Sequence, residues 1–231
     1  TKLIRANIAH NKVLVGGFRS GVENDTVIHA PNPCVGPPAK PTFKGEHMSV
    51  NDNKPSWEHD DLVHGYWIIP GRLLATEYPG AKNRSKALEK LQVLLDAGVN
   101  SFVDLTERGE PTWDGSPMLP YDGMLGPGTT YRRMPIPDTR TITDAGYDRI
   151  LAHIRAELAA GKVVLAHCWG GKGRTGTVVG AWLIETDGLG YPAVIDRMQE
   201  LRAGSRKGDH PVPDTEEQHD VLRRRAQRGE A

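Results

Sequence analysis

The chain has 231 residues with 29 basic and 29 acidic side chains, so its formal net charge is zero. This balance does not favour nucleic acid or a membrane surface as a partner, because such proteins usually carry a basic excess. The hydrophobic content of 38% is typical of a soluble globular protein, and no apolar run approaches the ~18 residues of a membrane span. We therefore expect no nucleic-acid partner and no stable membrane insertion. With only two cysteines, Cys34 and Cys168, a disulfide framework is excluded and a cytoplasmic location is expected.

The first 56 residues are predicted to form an N-terminal extension whose role the sequence does not reveal. They contain one strand-like run, at 12–16, and six prolines between residues 31 and 55. Proline cannot donate to a sheet and disfavours helix in the residue before it, so 31–55 is interpreted as a linker or an arm. Cys34 lies in this arm, and no spacing argument links it to Cys168 as an oxidation partner. Residues 57–231 are predicted to form the principal folded domain of the chain.

From Trp57 onward the hydrophobic pattern alternates between strands and helices. Two short strands at 66–69 and 73–75 flank a turn at Pro70 and Gly71. The remaining predicted elements are, in order, a helix at 83–97, a strand at 101–105, a long loop at 107–128, a strand at 130–134, a helix at 144–160, a strand at 162–166, and helices at 174–186, 191–203 and 214–228. This alternation favours an α/β fold with a central, mostly parallel twisted sheet flanked by helices.

The segment between the strand at 162–166 and the next helix carries the chemistry. It reads His167-Cys168-Trp169-Gly170-Gly171-Lys172-Gly173-Arg174-Thr175. Three glycines allow the backbone N–H groups of 169–174 to converge on one point and form an anion-binding nest. The helix that follows adds the positive end of its dipole at the same point.

Each side chain of this segment has a use in phosphoryl transfer. The nest would stabilise Cys168 as a nucleophilic thiolate. Arg174 can bind two phosphate oxygens in a fork and hold phosphorus in line with the sulfur. Thr175 can donate a hydrogen bond to the thiolate, and His167 can orient the loop. Residues 171–176 also fit the GxGxxG pattern of dinucleotide-binding sites, which requires an acidic residue ~20 positions further on, at the end of a strand. Asp196 has that spacing but falls inside a predicted helix, so a dinucleotide site is excluded.

These residues resemble the signature of the cysteine-dependent protein tyrosine phosphatase superfamily, on its dual-specificity and bacterial tyrosine-phosphatase-like side. The matched pattern is His-Cys, five residues, Arg-Thr, with glycine at 171, 173 and 176. The resemblance covers about 57–228 and implies a phosphatase that works through a cysteinyl-phosphate without metal or cofactor. The loop residues Trp169, Gly170, Gly171, Lys172 and Gly173 would then bind the substrate phosphate together with Arg174.

The resemblance also implies three supporting side chains outside the signature. The family usually supplies its general acid as an aspartate on a loop ahead of the nucleophile, and Asp138 in Met134-Pro135-Ile136-Pro137-Asp138 is the candidate, with Asp144 second. Gln218 is a candidate for holding the hydrolytic water, although a solvent-facing helix position explains it equally well. Glu107 is a candidate for pairing with Arg174.

The substrate is predicted only as a class. Trp169 can stack on a phenyl ring, which favours a phosphotyrosine or dual-specificity protein substrate. Lys172 is instead similar to a lysine in phosphoinositide phosphatases of the tensin-homologue type, so a phosphoinositide or inositol phosphate stays an alternative. A catalytically silent phosphate-binding module, and sulfur transfer or arsenate reduction, are rival readings. The arginines at 223–225 and Arg228 are interpreted as a solvated helix face rather than a lipid patch.

Overall fold

The structure is a computed structural model and describes residues 56–112 and 114–229. The predicted strand at 12–16, the proline-rich arm and Cys34 lie outside the described residues. Within the described residues, no helix is both long enough and apolar enough to cross a membrane.

Five strands form a single sheet, which confirms the predicted mostly parallel architecture. The order across the sheet is β1-β2-β5-β3-β4, and only the edge pair β1–β2 is antiparallel. The β1–β2 hairpin turns at Gly71, whose φ of 65° suits glycine. The strands are β1 Gly65–Ile69, β2 Leu73–Thr76, β3 Val99–Asp104, β4 Thr130–Arg133 and β5 Val163–His167.

Five α-helices and one short 3₁₀ turn complete the described part of the chain. Side chains cap the starts of the first two helices, where Asn83 accepts from the Lys86 N–H and Thr143 accepts from the Gly146 N–H. The turn lies in the long loop that the sequence predicts at 107–128. The helices are α1 Arg84–Asp96, α2 Asp144–Ala159, α3 Gly173–Asp187, α4 Tyr191–Arg202 and α5 Glu216–Gly229, and the 3₁₀ turn is Asp122–Met124.

The central strand β5 contributes to the apolar cores on both faces of the sheet. Its alternate residues Val164 and Ala166 pack into one core, with α2 and α3, whereas Leu165 packs into the other, beside α1. Helix α3 is buried along most of its length. Because β5 and α3 are both enclosed, the turn that joins them is held between two rigid elements, and this turn is the predicted phosphate loop.

Arginines of α5 form ion pairs with α2. Arg224 Nε and Arg228 Nη2 lie 3.1 and 2.7 Å from the carboxylate of Asp144, and Arg225 Nη2 lies 2.7 Å from Asp148. Three of the four arginines are therefore engaged in interhelical ion pairs, whereas Arg223 pairs with Glu216 and Asp220 of α5 itself. Asp144 is occupied by these arginines, which leaves Asp138 as the candidate general acid.

Candidate active site

The phosphate loop begins where β5 ends and closes where α3 begins. Cys168 follows directly after β5 and is only 3% exposed. Gly171 has a φ of 75°, and a Cβ added there would lie 2.8 Å from the Glu77 N atom and 3.0 Å from the Thr76 O atom. Only glycine fits, both because of this backbone conformation and because the segment after β2 passes directly beneath the loop.

The carbonyl groups of the loop are turned away from its centre and are anchored from outside. Four successive carbonyl oxygens accept hydrogen bonds: His167 O from Leu105 N–H (2.9 Å), Cys168 O from His167 Nδ1–H (3.1 Å), Trp169 O from Tyr78 N–H (2.9 Å) and Gly170 O from Lys207 Nζ (3.0 Å). Among the described residues, no group accepts a hydrogen bond from the N–H groups of 169–175. A row of backbone N–H groups without a protein partner, beside a cysteine, is a site suited to an anion.

Arg174 enters the site from the first turn of α3 and is 2% exposed. Its Nη1 and Nη2 atoms bind the two carboxylate oxygens of Glu110, each at 2.6 Å, and Nη1 also donates to the Ile136 carbonyl at 3.2 Å. Burial by itself lowers the pKa of Arg174, but the Glu110 carboxylate and the neighbouring charges outweigh it and raise the pKa above its ordinary value. The guanidinium is therefore a fixed cation.

The prediction that Glu107 pairs with Arg174 is wrong. The Glu107 side chain is exposed, and its backbone N–H donates to Glu110 Oε2 at 3.0 Å. The chain turns over residues 107–110, and the turn directs the later glutamate inward while the earlier one faces solvent. Glu107 thus contributes only a backbone hydrogen bond to the carboxylate that Arg174 binds.

The candidate acid Asp138 lies on the loop after β4, against the arginine. Its Oδ1 is 2.9 Å from Arg174 Nη2, and 60% of its side chain is exposed. The next residue, Thr139, has a φ of 58°, which is uncommon for a β-branched side chain. Farther along this loop, before α2, the Thr141 hydroxyl donates to Glu217 of α5 at 2.6 Å. Asp138 is therefore within reach of the same guanidinium that would bind the phosphate.

His167 holds the base of the loop through both ring nitrogens. Nδ1 must carry a proton, because its partner, the Cys168 carbonyl oxygen, only accepts. Burial lowers the pKa of His167, so the ring is neutral and Nε2 accepts from the Tyr121 hydroxyl at 2.5 Å. The Asp104 carboxylate lies 3.9 Å from the same nitrogen. His167 thus joins the base of the loop to Tyr121, and its role in orienting the loop stays a prediction.

Thr175 is fully buried, and its hydroxyl has no hydrogen-bond partner among the described residues. The expected hydrogen bond to the Cys168 sulfur is therefore not formed in this structure. A buried hydroxyl without a partner costs free energy. An anionic group that enters the loop would supply the missing partner for this O–H.

Gln218 is not the solvent-facing residue that one reading of the sequence predicted. It is 1% exposed, and its Oε1 accepts from the N–H groups of Asp214 and Thr215 at 3.1 and 3.2 Å. Thr215 Oγ1 in turn accepts from the Gln218 N–H at 3.3 Å, so the two residues form a capping box at the start of α5. A Cβ added to Gly173 would lie 3.0 Å from Gln218 Oε1, which places the amide beside the phosphate loop.

Lys172 and Trp169 differ in how they relate to the loop. Lys172 Nζ lies 3.0 Å from Asp214 Oδ1, so its charge is balanced by a carboxylate. Trp169 is half-buried, 5.9 Å from the ring of Tyr78, and lines a small apolar pocket with Tyr78 and residues 117–119. An aromatic wall thus borders the loop on one side.

A family model described as "Swiss Army Knife protein, DSP-PTPase phosphatase domain" matches residues 64–229, which is most of the chain. The chain belongs to this phosphatase family. The predicted membership of the cysteine-dependent phosphatase superfamily is confirmed. The match contains every element of the sheet as well as the loop, Asp138 and α5.

Solved structures of phosphatases are similar to this phosphatase domain. A structure of Tk-PTP described as the active form has 26% identity and a TM-score of 0.52, with 71% of this chain and 97% of that one covered. A mutant form of Tk-PTP has 25% identity and a TM-score of 0.53, with coverages of 71% and 95%. Kinase associated phosphatase has 23% identity and a TM-score of 0.51, with coverages of 69% and 88%, and supports the fold alone.

Several residues that build the phosphatase site were not predicted from the sequence. Glu110 and Tyr121 both lie in the long loop at 107–128, where a strand or helix period gives no guidance. Glu77 and Lys207 support the loop from positions 91 and 39 residues away from Cys168, and no local pattern links them to it. For Glu110, the one available signal was an acidic residue shortly after the strand that precedes the long loop.

Proposed function

We propose that this phosphatase hydrolyses phosphomonoesters through a covalent phosphate on Cys168, and that phosphotyrosine or another aryl phosphate in a protein is its substrate. The observation that carries the proposal is the row of unpaired N–H groups at 169–175, next to Cys168 and Arg174. An incoming phosphate would satisfy these donors with its non-bridging oxygens.

The reaction would proceed in two displacements at phosphorus. First, the Cys168 sulfur bonds to phosphorus while the bond to the leaving oxygen breaks, and Asp138 gives its proton to that oxygen. Next, water attacks phosphorus, the S–P bond breaks, and the water proton passes to Asp138. The phosphate would take the Arg174 donor that Asp138 now holds at 2.9 Å, leaving the carboxyl beside the leaving group.

The surroundings of the loop favour an aryl ester over a highly charged substrate. Trp169 is half-buried, packs on the buried Tyr78 ring and presents aromatic surface beside the loop, suited to stack on a phenyl ring. Lys172, which would favour a multiply phosphorylated ring, is instead paired with Asp214. Gln218 and Thr175 would assist in the second step, by holding the water and by stabilising the departing thiolate.

The test is a comparison of phosphate release from a phosphotyrosine peptide, a phosphoserine peptide and a phosphoinositide. We expect the phosphotyrosine peptide to be hydrolysed fastest, Cys168→Ser to abolish turnover, and Asp138→Ala to slow it about 10²- to 10⁴-fold with little change in tungstate binding. If the phosphoinositide were hydrolysed fastest, the substrate class would be a phosphoinositide and not a phosphoprotein. Tungstate binding without hydrolysis of any ester would instead identify a silent phosphate-binding module.

A further inference from the structure

Lys207 joins the phosphate loop to a distant part of the chain. It lies between α4 and α5, and its Nζ donates to the Gly170 carbonyl at 3.0 Å and to Glu77 Oε2 at 2.8 Å. Its side chain is 24% exposed, so the ammonium is partly removed from water. This lysine is the only residue among those described whose side chain donates a hydrogen bond to a loop carbonyl from outside the segment 167–177.

The segment that carries Lys207 is held firmly in place. Arg202 is fully buried at the end of α4, and its guanidinium donates to the carbonyl groups of Lys207 and of His210, the latter at 2.7 Å. Gln199 Nε2 donates to the Gly208 carbonyl at 2.8 Å. Because the backbone on both sides of Lys207 is fixed, its ammonium is delivered to the loop from a rigid support.

Glu77 holds the other side of the ammonium. Three cations surround its carboxylate, with Lys207, Arg206 and Lys90 at 2.8, 3.0 and 3.4 Å. Burial raises the pKa of Glu77, but these cations outweigh burial and lower the pKa to about 2. The carboxylate is therefore ionised at neutral pH and restrains Lys207 beside the loop.

The bond at Gly170 controls the direction of one peptide group. In a planar trans peptide, the carbonyl of one residue and the N–H of the next point in opposite directions. Holding the Gly170 oxygen outward therefore aims the Gly171 N–H toward the centre of the loop. Both residues are glycines, which oppose a flip of this peptide less than other residues do. The anchor thus restricts the loop at its most pliable peptide.

We propose that Lys207 is a positioning residue that keeps the Gly170–Gly171 peptide in the anion-binding orientation. This inference rests on the proposed function, since it assumes that the loop binds phosphate. Without the lysine, the peptide would spend most of its time flipped, and an anion would bind only the minor, inward form. The apparent dissociation constant would rise in inverse proportion to the inward population.

The experiment compares Lys207→Met with Arg206→Met. Both variants remove one positive charge from the Glu77 carboxylate, but only Lys207 contacts the loop. We expect the Lys207 variant to raise the tungstate dissociation constant and the KM for an aryl phosphate roughly tenfold, with kcat changed less than about threefold. The Arg206 variant should alter all three by less than about twofold, because a partly exposed charge contributes little.

If Lys207 had a purely structural role, its variant would have a lower thermal unfolding midpoint, and KM would not change more than kcat. The thermal midpoints of both variants are therefore measured as well. The inference is overturned if the two variants raise the tungstate dissociation constant equally, or if kcat falls and KM does not change. Failure of the proposed function looks different, because the wild-type protein would then not release phosphate from any ester, whatever its affinity for tungstate.

Discussion

Replacing Glu110 by glutamine tests whether the arginine of the loop is held by this carboxylate. Arg174 is 2% exposed and Glu110 8% exposed, and the two form two hydrogen bonds of 2.6 Å. Removing one partner of a buried ion pair costs about 3–5 kcal/mol, because the remaining charge keeps its desolvation penalty. Glutamine retains one acceptor, and Asp138 still contacts Arg174 at 2.9 Å. We therefore expect the Glu110→Gln variant to lose roughly 2–3 kcal/mol of its free energy of unfolding, which is the usual contribution of hydrogen bonds to a charged group.

The assay is urea unfolding together with kcat/KM for an aryl phosphate, and Glu107→Gln is the matched control. Glu107 is exposed and lies in the same loop, so its variant should differ from wild type by less than about 0.5 kcal/mol. In Glu110→Gln the guanidinium is less well oriented, and kcat/KM should fall by about tenfold or more. Equal stabilities and rates for the two variants would refute the assignment of Glu110 as the residue that fixes Arg174.

Two further predictions concern the support beneath the loop. Gly171→Ala should destabilise the protein by at least ~1–2 kcal/mol from the φ of 75° alone and should abolish phosphatase activity, since the new Cβ would lie 2.8 Å from the Glu77 N atom. The control Gly123→Ala, where an added Cβ meets nothing within 4 Å, should keep wild-type stability and activity. Equal thermal midpoints and turnover rates for the two variants would contradict the close approach of Gly171 to Glu77. Glu77 has its pKa lowered from 4.5 to about 2, so its stabilisation, about 3 kcal/mol, is complete above pH 4.5 and is lost as pH falls toward 2. Unfolding measured against pH should therefore show Glu77→Gln less stable than wild type at neutral pH with the gap closing over that range, and a gap independent of pH would count against the ion-pair cluster.

Local pattern was enough to place the elements of the sheet and the phosphate loop. The run from 162 to 177 changes from an apolar strand to glycines and then to a helix, and its chemistry is contained in adjacent residues. The observed strand β5 and helix α3 lie within one residue of the predicted bounds. Glycine at 171 is required by contacts that the sequence does not show, but its identity alone indicated an unusual backbone.

The parts that the sequence did not reveal depend on contacts between distant segments. The position of β5 between β2 and β3 follows from pairing across long stretches of chain, which no local period encodes. Glu110 rather than the predicted Glu107 binds Arg174 because a turn within an irregular loop, over residues 107–110, buries the later glutamate and leaves the earlier one in solvent. The contact of Lys207 with Gly170 crosses 37 residues and involves a lysine in a segment that resembles an ordinary surface connection.

The central claim is that the Cys168 sulfur attacks phosphorus within this loop. Rapid quenching of Asp138→Ala with an aryl phosphate whose leaving group needs little protonation, followed by mass spectrometry of the digested protein, tests it directly. We predict one phosphoryl group on the peptide that contains Cys168, since loss of Asp138 slows the water-dependent second step more than the first. Phosphate release that passes through no adduct, or an adduct on another residue, would contradict the account.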